Sequence, residues 1–403
     1  MLKKLLVMYK MIHHKILVGL RRLLLRVQLR ARIRENIVNV LRLKVWAITG
    51  EEILSKQQFN IVYIGGEKHK NFLAELAFGN SYKEDYIGRT WLWRIFKTVR
   101  ARGHACSLMV AEVPKSSLML FGRKKCFYVP FWIQGQLNTS IDTSPHIKNE
   151  SLKSDLRRIT RNKLHFELTN ESAQFDNFYH NMYLPYITKS HGNSAIIMEY
   201  DFVKKFFRDC ELLLIKKEKE YIAGMLIAYN YTKKQARLWC LGVKDGNSDY
   251  IKDGAIGAIL YFSLLHLKEK GYKRVRVGGS RAFLKDGVLR YKKKWGQKIV
   301  CTDKIGFLIK PLKPLSKTPA VKGFLSNNPF IYVHKNRFNS AVFVEAAQSF
   351  SKEDFEKFYK NYYQTGISKL FIYRFEQGHS RSCEIVPAEF SDKITVCSAE
   401  SLF

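Results

Sequence analysis

Residues 211–216, 221–231 and 236–243 are apolar, strand-forming runs separated by the short polar connections 217–220 and 232–235, a pattern that predicts three antiparallel strands in a meander. A glycine-bearing loop over 244–254 follows, and the period then changes from two to between three and four. Ile259, Phe262, Ser263 and Leu267 fall on one face, so 255–270 reads as a helix and 272–277 as a further strand. The predicted order is β-β-β-loop-α-β.

Upstream, the apolar run 61–64 closes on Gly65-Gly66, and 69–78 and 91–102 have helical spacing. The runs 106–113 and 126–134 are β-rich, so this first part is mixed α/β, and the polar stretch 138–149 is a plausible seam. Ser151 opens a helix with Leu152, Leu156 and Ile159 as its apolar stripe, 164–168 alternates as a strand, and 172–188 and 200–208 are helical. Residues 300–308 read as a closing strand. Pro311, Pro314 and Pro319 then mark a linker to a small α/β unit, in which Ser351, with Asp354 three residues on, caps a helix to Tyr363 between strands at 342–346 and 370–375.

Composition sharpens the picture. Lysine and arginine outnumber acidic residues 69 to 35, a formal charge of +34, which predicts phosphate-rich partners: nucleic acid, a CoA-like cofactor or an anionic membrane. The seven cysteines include no Cys-x-x-Cys pair, and the eleven histidines form no cluster at ligand spacing, so we expect a reducing compartment and no metal. Residues 1–34 hold ten basic residues and no acid, with Leu5, Met8, Ile12, Ile16, Leu20 and Leu23 at three- and four-residue steps. This arm is an expected basic amphipathic helix, too interrupted to span a bilayer, which needs about 20 apolar residues. It is suited to the cytoplasmic face of the membrane, to packing on the protein body, or to mitochondrial targeting.

The densest chemistry lies at Val277-Gly278-Gly279-Ser280-Arg281 and the basic, aromatic-punctuated loop expected to run on to Gly296. Two glycines let a backbone approach a ligand, and the cations that follow suit phosphate or a developing oxyanion. A solvated basic face is the alternative.

Within that run, Asp286-Gly-Val-Leu-Arg-Tyr-Lys292-Lys-Lys-Trp-Gly296 resembles the aromatic-Lys-x-x-aromatic-Gly signature of Fem-type peptidoglycan aminoacyltransferases and related FemAB-like acyltransferases. The basic segment from Leu156 to Lys163 resembles the helix those proteins carry between lobes, and the β-β-β-loop-α-β order is that of the GCN5-related N-acetyltransferase (GNAT) fold. The resemblance covers roughly 61–308. It implies an α/β (α+β) fold with a largely antiparallel mixed sheet flanked by helices. The expected division is a helix over 1–50, GNAT-like lobes over 51–150 and 151–310, and a C-terminal unit over 320–403.

The resemblance also implies roles. Lys292 takes the position of the family lysine near the reacting carbonyl, with Asp286, Glu199 and His191 as candidate bases by location. Lys293 and Lys294 are then phosphate contacts or surface charge. Cys240, Leu241, Gly242 and Val243 form the strand that contacts the donor carbonyl. Gly254, Gly257, Gly279, Ser280, Arg281, Lys285, Arg157 and Arg158 are candidates for donor or phosphate binding, although the glycines of 252–258 lack the usual pyrophosphate-loop spacing. The implied function is acyl or aminoacyl transfer from acyl-CoA, acyl carrier protein or aminoacyl-tRNA to an amine of an envelope lipid, peptidoglycan or polysaccharide precursor, at the inner face of the membrane. The alternative is an RNA-binding or membrane-associated scaffold built on a degenerate acyltransferase fold.

Overall fold

The computed structural model describes residues 41–101, 106–121, 126–140, 149–192, 195, 197–232, 234–313, 315–345, 349–375 and 385–402. The basic arm expected at the amino terminus lies outside them up to residue 40. The fold begins with β1 (Arg42–Glu51), β2 (Gln58–Gly65), α1 (Glu67–Phe78), β3 (Tyr82–Trp91), α2 (Ile95–Arg100), β4 (Leu108–Pro114), β5 (Phe127–Pro130) and β6 (Ile133–Asn138). Residues 42–50 are therefore strand and not helix, and the first lobe starts earlier than the boundary expected at 51.

The second half contains α3 (Glu150–Arg161), β7 (His165–Thr169), α4 (Ser172–Phe178), a π turn at Tyr179–Tyr183, α5 (Leu184–His191) and α6 (Tyr200–Phe206). The meander follows as β8 (Cys210–Lys217), β9 (Glu220–Asn230) and β10 (Gln235–Val243), then α7 (Ser248–Lys252), α8 (Ala255–Glu269), β11 (Arg274–Ser280), α9 (Gly287–Lys294), β12 (Lys298–Thr302) and β13 (Ile305–Pro311). The helix expected to open at Ser151 begins one residue earlier, because the Asn149 side chain accepts the Leu152 N–H and takes the cap.

Two sheets organise these elements, in the orders β3-β1-β2-β4-β13-β5 and β12-β6-β11-β10-β9-β8-β7. Both are mixed and largely antiparallel, and helices flank them, as the expected fold class requires. They also exchange strands. β6, from the first half of the sequence, lies between β12 and β11, while β13, from the second half, lies between β4 and β5. The single closing strand expected at 300–308 is thus two strands in two sheets, and the seam expected near 150 does not cut the structure.

The C-terminal unit comprises α10 (Pro319–Asn327), β14 (Phe330–His334), β15 (Arg337–Glu345), α11 (Lys352–Tyr362), β16 (Lys369–Phe375) and β17 (Ile394–Ser398). α11 carries the predicted capping box, with Ser351 and Asp354 each accepting the other's backbone N–H, and it crosses between the parallel strands β15 and β16. This unit shares its core with the first lobe. The Phe127 ring of β5 meets Phe330, Tyr332, Phe343 and Tyr373 at centroid distances of 5.1–5.9 Å.

Candidate functional site at the divergence of two strands

β10 and β11 run parallel, but their ladder joins only Ala236, Arg237 and Leu238 to Val275, Arg276 and Val277. Each strand is irregular just beyond. The register of β10 against β9 shifts between Leu238 and Cys240, and that of β11 against β6 shifts between Val277 and Ser280. The divergence frees the β11-facing edge of Cys240, Leu241, Gly242 and Val243 from that ladder, the segment expected to meet a donor carbonyl. Its side-chain faces are largely covered, with Leu241 half-buried. Cys240 and Val243 are buried, and a Cβ on Gly242 would lie 2.5 Å from the Tyr183 N of the π turn. Burial pushes the Cys240 thiol up to about 12, so it is an inert packing group.

Lys292 sits at the same divergence. It lies on α9, a helix that starts where the Asp286 carboxylate accepts the Leu289 N–H at 2.8 Å. From there its Nζ donates to Gly278 O at 2.5 Å, Gly279 O at 3.0 Å and Ser280 Oγ at 3.1 Å. The ammonium thus braces the irregular end of β11 from within. Burial lowers its pKa to about 8, opposed by the charge of Asp286 and assisted by that of Arg237.

Other candidates fall elsewhere. Asp286 is committed to the cap of α9. Gly254 and Gly257 are buried under α3: a Cβ at Gly254, whose φ is +103°, would lie 2.9 Å from Arg158 Cβ, and one at Gly257 would lie 3.1 Å from Asp155 Cβ. The first turn of α8 is covered, so these glycines serve helix packing instead of an open pyrophosphate loop. Arg157 and Arg158 stay exposed on α3. Lys285 donates to Asn327 Oδ1 at 3.0 Å and so links to the C-terminal unit. Glu199 is exposed, and the His191 side chain lies outside the described set.

Lys293 and Lys294, expected as phosphate contacts or surface charge, both have partners within the protein. Lys293 donates to the carbonyls of Lys360 and Asn361 at the end of α11, at 2.6 and 3.1 Å. Lys294 forms a buried ion pair with Asp155 of α3 at 2.5 Å, and Tyr291 donates to the same carboxylate at 3.2 Å.

One residue beyond the bulge, Arg281 leads into a polar cluster between the lobes that the sequence reading did not assemble. Its side chain, with the residue only 6% exposed, lies between the rings of Phe72 and Trp132, at 4.1 and 4.2 Å, and its Nη1 is 3.1 Å from His69 Nδ1. Burial, then the charges of Arg281 and Lys68, lower His69 to about 4, so the ring is neutral and accepts from the guanidinium. Nearby, the half-buried Glu112 on β4 accepts from the Tyr63 hydroxyl. Burial raises this carboxyl to about 7, against the pull of the Tyr63 and Gly66 donors and the Arg281 charge. Gly65 makes room for it, since a Cβ there would be 2.3 Å from Glu112 Cγ. The one signal of this in the sequence was the Gly65-Gly66 pair ending a buried strand.

No family model matches the sequence, and no curated protein does. Among solved structures, the chain is similar to the C-terminal domain of a protein assigned as a lysylphosphatidylglycerol synthetase from Agrobacterium fabrum, at 15% identity over 66% of this chain and 80% of that one, with a TM-score of 0.34. L-PGS from Bacillus licheniformis matches at 15% identity over 71% and 85%, TM-score 0.33. A GCN5-related N-acetyltransferase from Anabaena variabilis matches at 9% over 71% and 62%, TM-score 0.29. These scores describe partial likeness in chain path; the fold assignment rests on the strand order given above.

Proposed function

We propose that this protein is an N-acyltransferase or aminoacyltransferase of FemAB-like type, moving an acyl group from an activated donor to an amine of a cell-envelope precursor. The observation that carries the reading is the Lys292 ammonium held at the end of β11 where β10 and β11 part. An ester or thioester carbonyl aligned along the freed edge of β10 develops negative charge on oxygen when an amine attacks its carbon. Ser280 Oγ is the side-chain member of the three Lys292 acceptors and can rotate away, releasing one N–H for that oxygen. The new C–N bond forms, the C–O or C–S bond breaks, and the amine gives up a proton as the leaving group departs. In this reading Glu112 accepts that proton: it feels the charge of Arg281, which adjoins the Lys292 partner Ser280, and burial holds it near neutrality.

Donor choice follows from the covered start of α8. A CoA pyrophosphate would lack the open helix terminus that suits phosphate, so we favour acyl carrier protein or aminoacyl-tRNA over acyl-CoA. The exposed Arg157, Arg158 and Arg161 of α3 form a ridge suited to a phosphate backbone. The test is to offer the full chain each of the three donors with and without an amine. Amine-dependent consumption of charged tRNA or acyl carrier protein is expected; consumption of none rejects the reading.

A further inference from the structure

We infer that the folded body carries its own docking surface for an anionic lipid bilayer, formed by Trp93 and the Met119-Leu120 pair and flanked along the chain by arginine and lysine. Trp93 follows β3 and stacks on Trp91, with ring centroids 5.0 Å apart and planes 14° from parallel. Met119 and Leu120 belong to the turn Lys115–Phe121. These three apolar side chains are turned outward, at 55%, 92% and 60% exposure respectively. The two segments are neighbours because their inward residues share one cluster: Leu92, Ile95, Val99 and Phe121 are buried together, and the rings of Phe96 and Phe121 meet at 5.7 Å.

The chain segments that form this surface carry charge of nearly one sign. Between residues 86 and 141 the sequence has a single acid, Glu112, and that side chain is turned to Tyr63 in the lobe interface. Arg89, Arg94, Lys97 and Arg100 are exposed on the same stretch of chain. Cations attract an anionic leaflet, tryptophan favours the headgroup region, and aliphatic side chains gain by entering the acyl boundary. Met119 and Leu120 favour lipid over nucleic acid, because a base stacks on an aromatic face and offers little to an exposed methionine or leucine. The described chain also begins here. Arg42, at the start of β1, pairs with Trp91, and Leu41 and Leu43 pack on the cluster beneath the patch. The basic, amphipathic sequence of residues 1–40 is therefore joined to the body beside the patch, which supplies the two signals that stable peripheral binding requires.

Tryptophan reports the patch apart from the arm, since residues 1–40 contain none. Full chain is mixed with vesicles of phosphatidylcholine, alone or with phosphatidylglycerol, whose acyl chains carry bromine as a short-range quencher. We expect quenching with the anionic vesicles, most of it lost in Trp93→Phe, and about a tenfold weaker vesicle affinity in a Met119→Asp, Leu120→Asp variant. Binding without quenching, quenching unchanged in Trp93→Phe, or quenching by poly(A) RNA and not by vesicles each overturns the inference. None of these readouts depends on acyl transfer, so the docking surface and the proposed reaction stand or fall separately.

Discussion

In the proposed reaction Lys292 and Glu112 carry the chemistry at the scale of single residues, and they set opposite limits on pH. Lys292 must keep its proton to meet an oxyanion, so activity falls as pH rises through about 8. Glu112 must lose its proton to act as a base, so activity rises through about 7. A bell-shaped profile of kcat/KM between those values is expected, and Glu112→Gln should remove the acid limb. The same carboxyl links to stability. Its folded pKa lies above the unfolded value of 4.5, so the folded state holds the proton more tightly and loses stability as pH rises from about 4.5 to 7. Thermal melts of Glu112→Gln should therefore match the parent at pH 4 and exceed it at pH 8; equal melting at both would show that burial does not strain this group. The nearness of Lys292 to the Gly278-Gly279-Ser280 bend was legible in the sequence because these neighbours are local. Glu112 was not, because Tyr63, Glu112 and Arg281 approach only through the tertiary fold.

Among elements, α9 and α3 are joined by a device that the linear charge pattern concealed. The sequence presents three successive lysines as a basic run, yet one registers with Asp155 and another with the end of α11. Lys294→Ala leaves the buried Asp155 carboxylate with only Tyr291 and the more distant Arg158, and a loss of about 3 kcal/mol in urea unfolding is expected. An Asp155→Leu, Lys294→Met double variant should recover most of that loss. The meander, α8 and the capped α11 were legible because their periods are clean and their caps local, whereas α9 reads as a basic loop because Leu289 is the one buried side chain among its eight residues. β3 was missed: as an edge strand it is exposed along most of its length and shows little apolar alternation. β1 was hidden by its junction with the basic arm. At the glycines, Gly65→Ala should displace Glu112 and reproduce the activity loss of Glu112→Gln.

For the whole molecule, the exchange of β6 and β13 ties the lobes together, and the shared aromatic core ties the C-terminal unit to the first lobe. Calorimetry should show one cooperative transition; a separate early transition removed by deleting 314–403 would mean the unit folds by itself. Linear reading divided the chain at its polar seams, which was reasonable for local structure and wrong for the sheets, since strand exchange leaves no mark on periodicity. The central claim remains the role of Lys292. The most direct measurement is amine-dependent donor consumption by the parent and by Lys292→Met, with circular dichroism confirming the fold. A loss of about a hundredfold or more in kcat is expected; an unchanged rate would contradict the account.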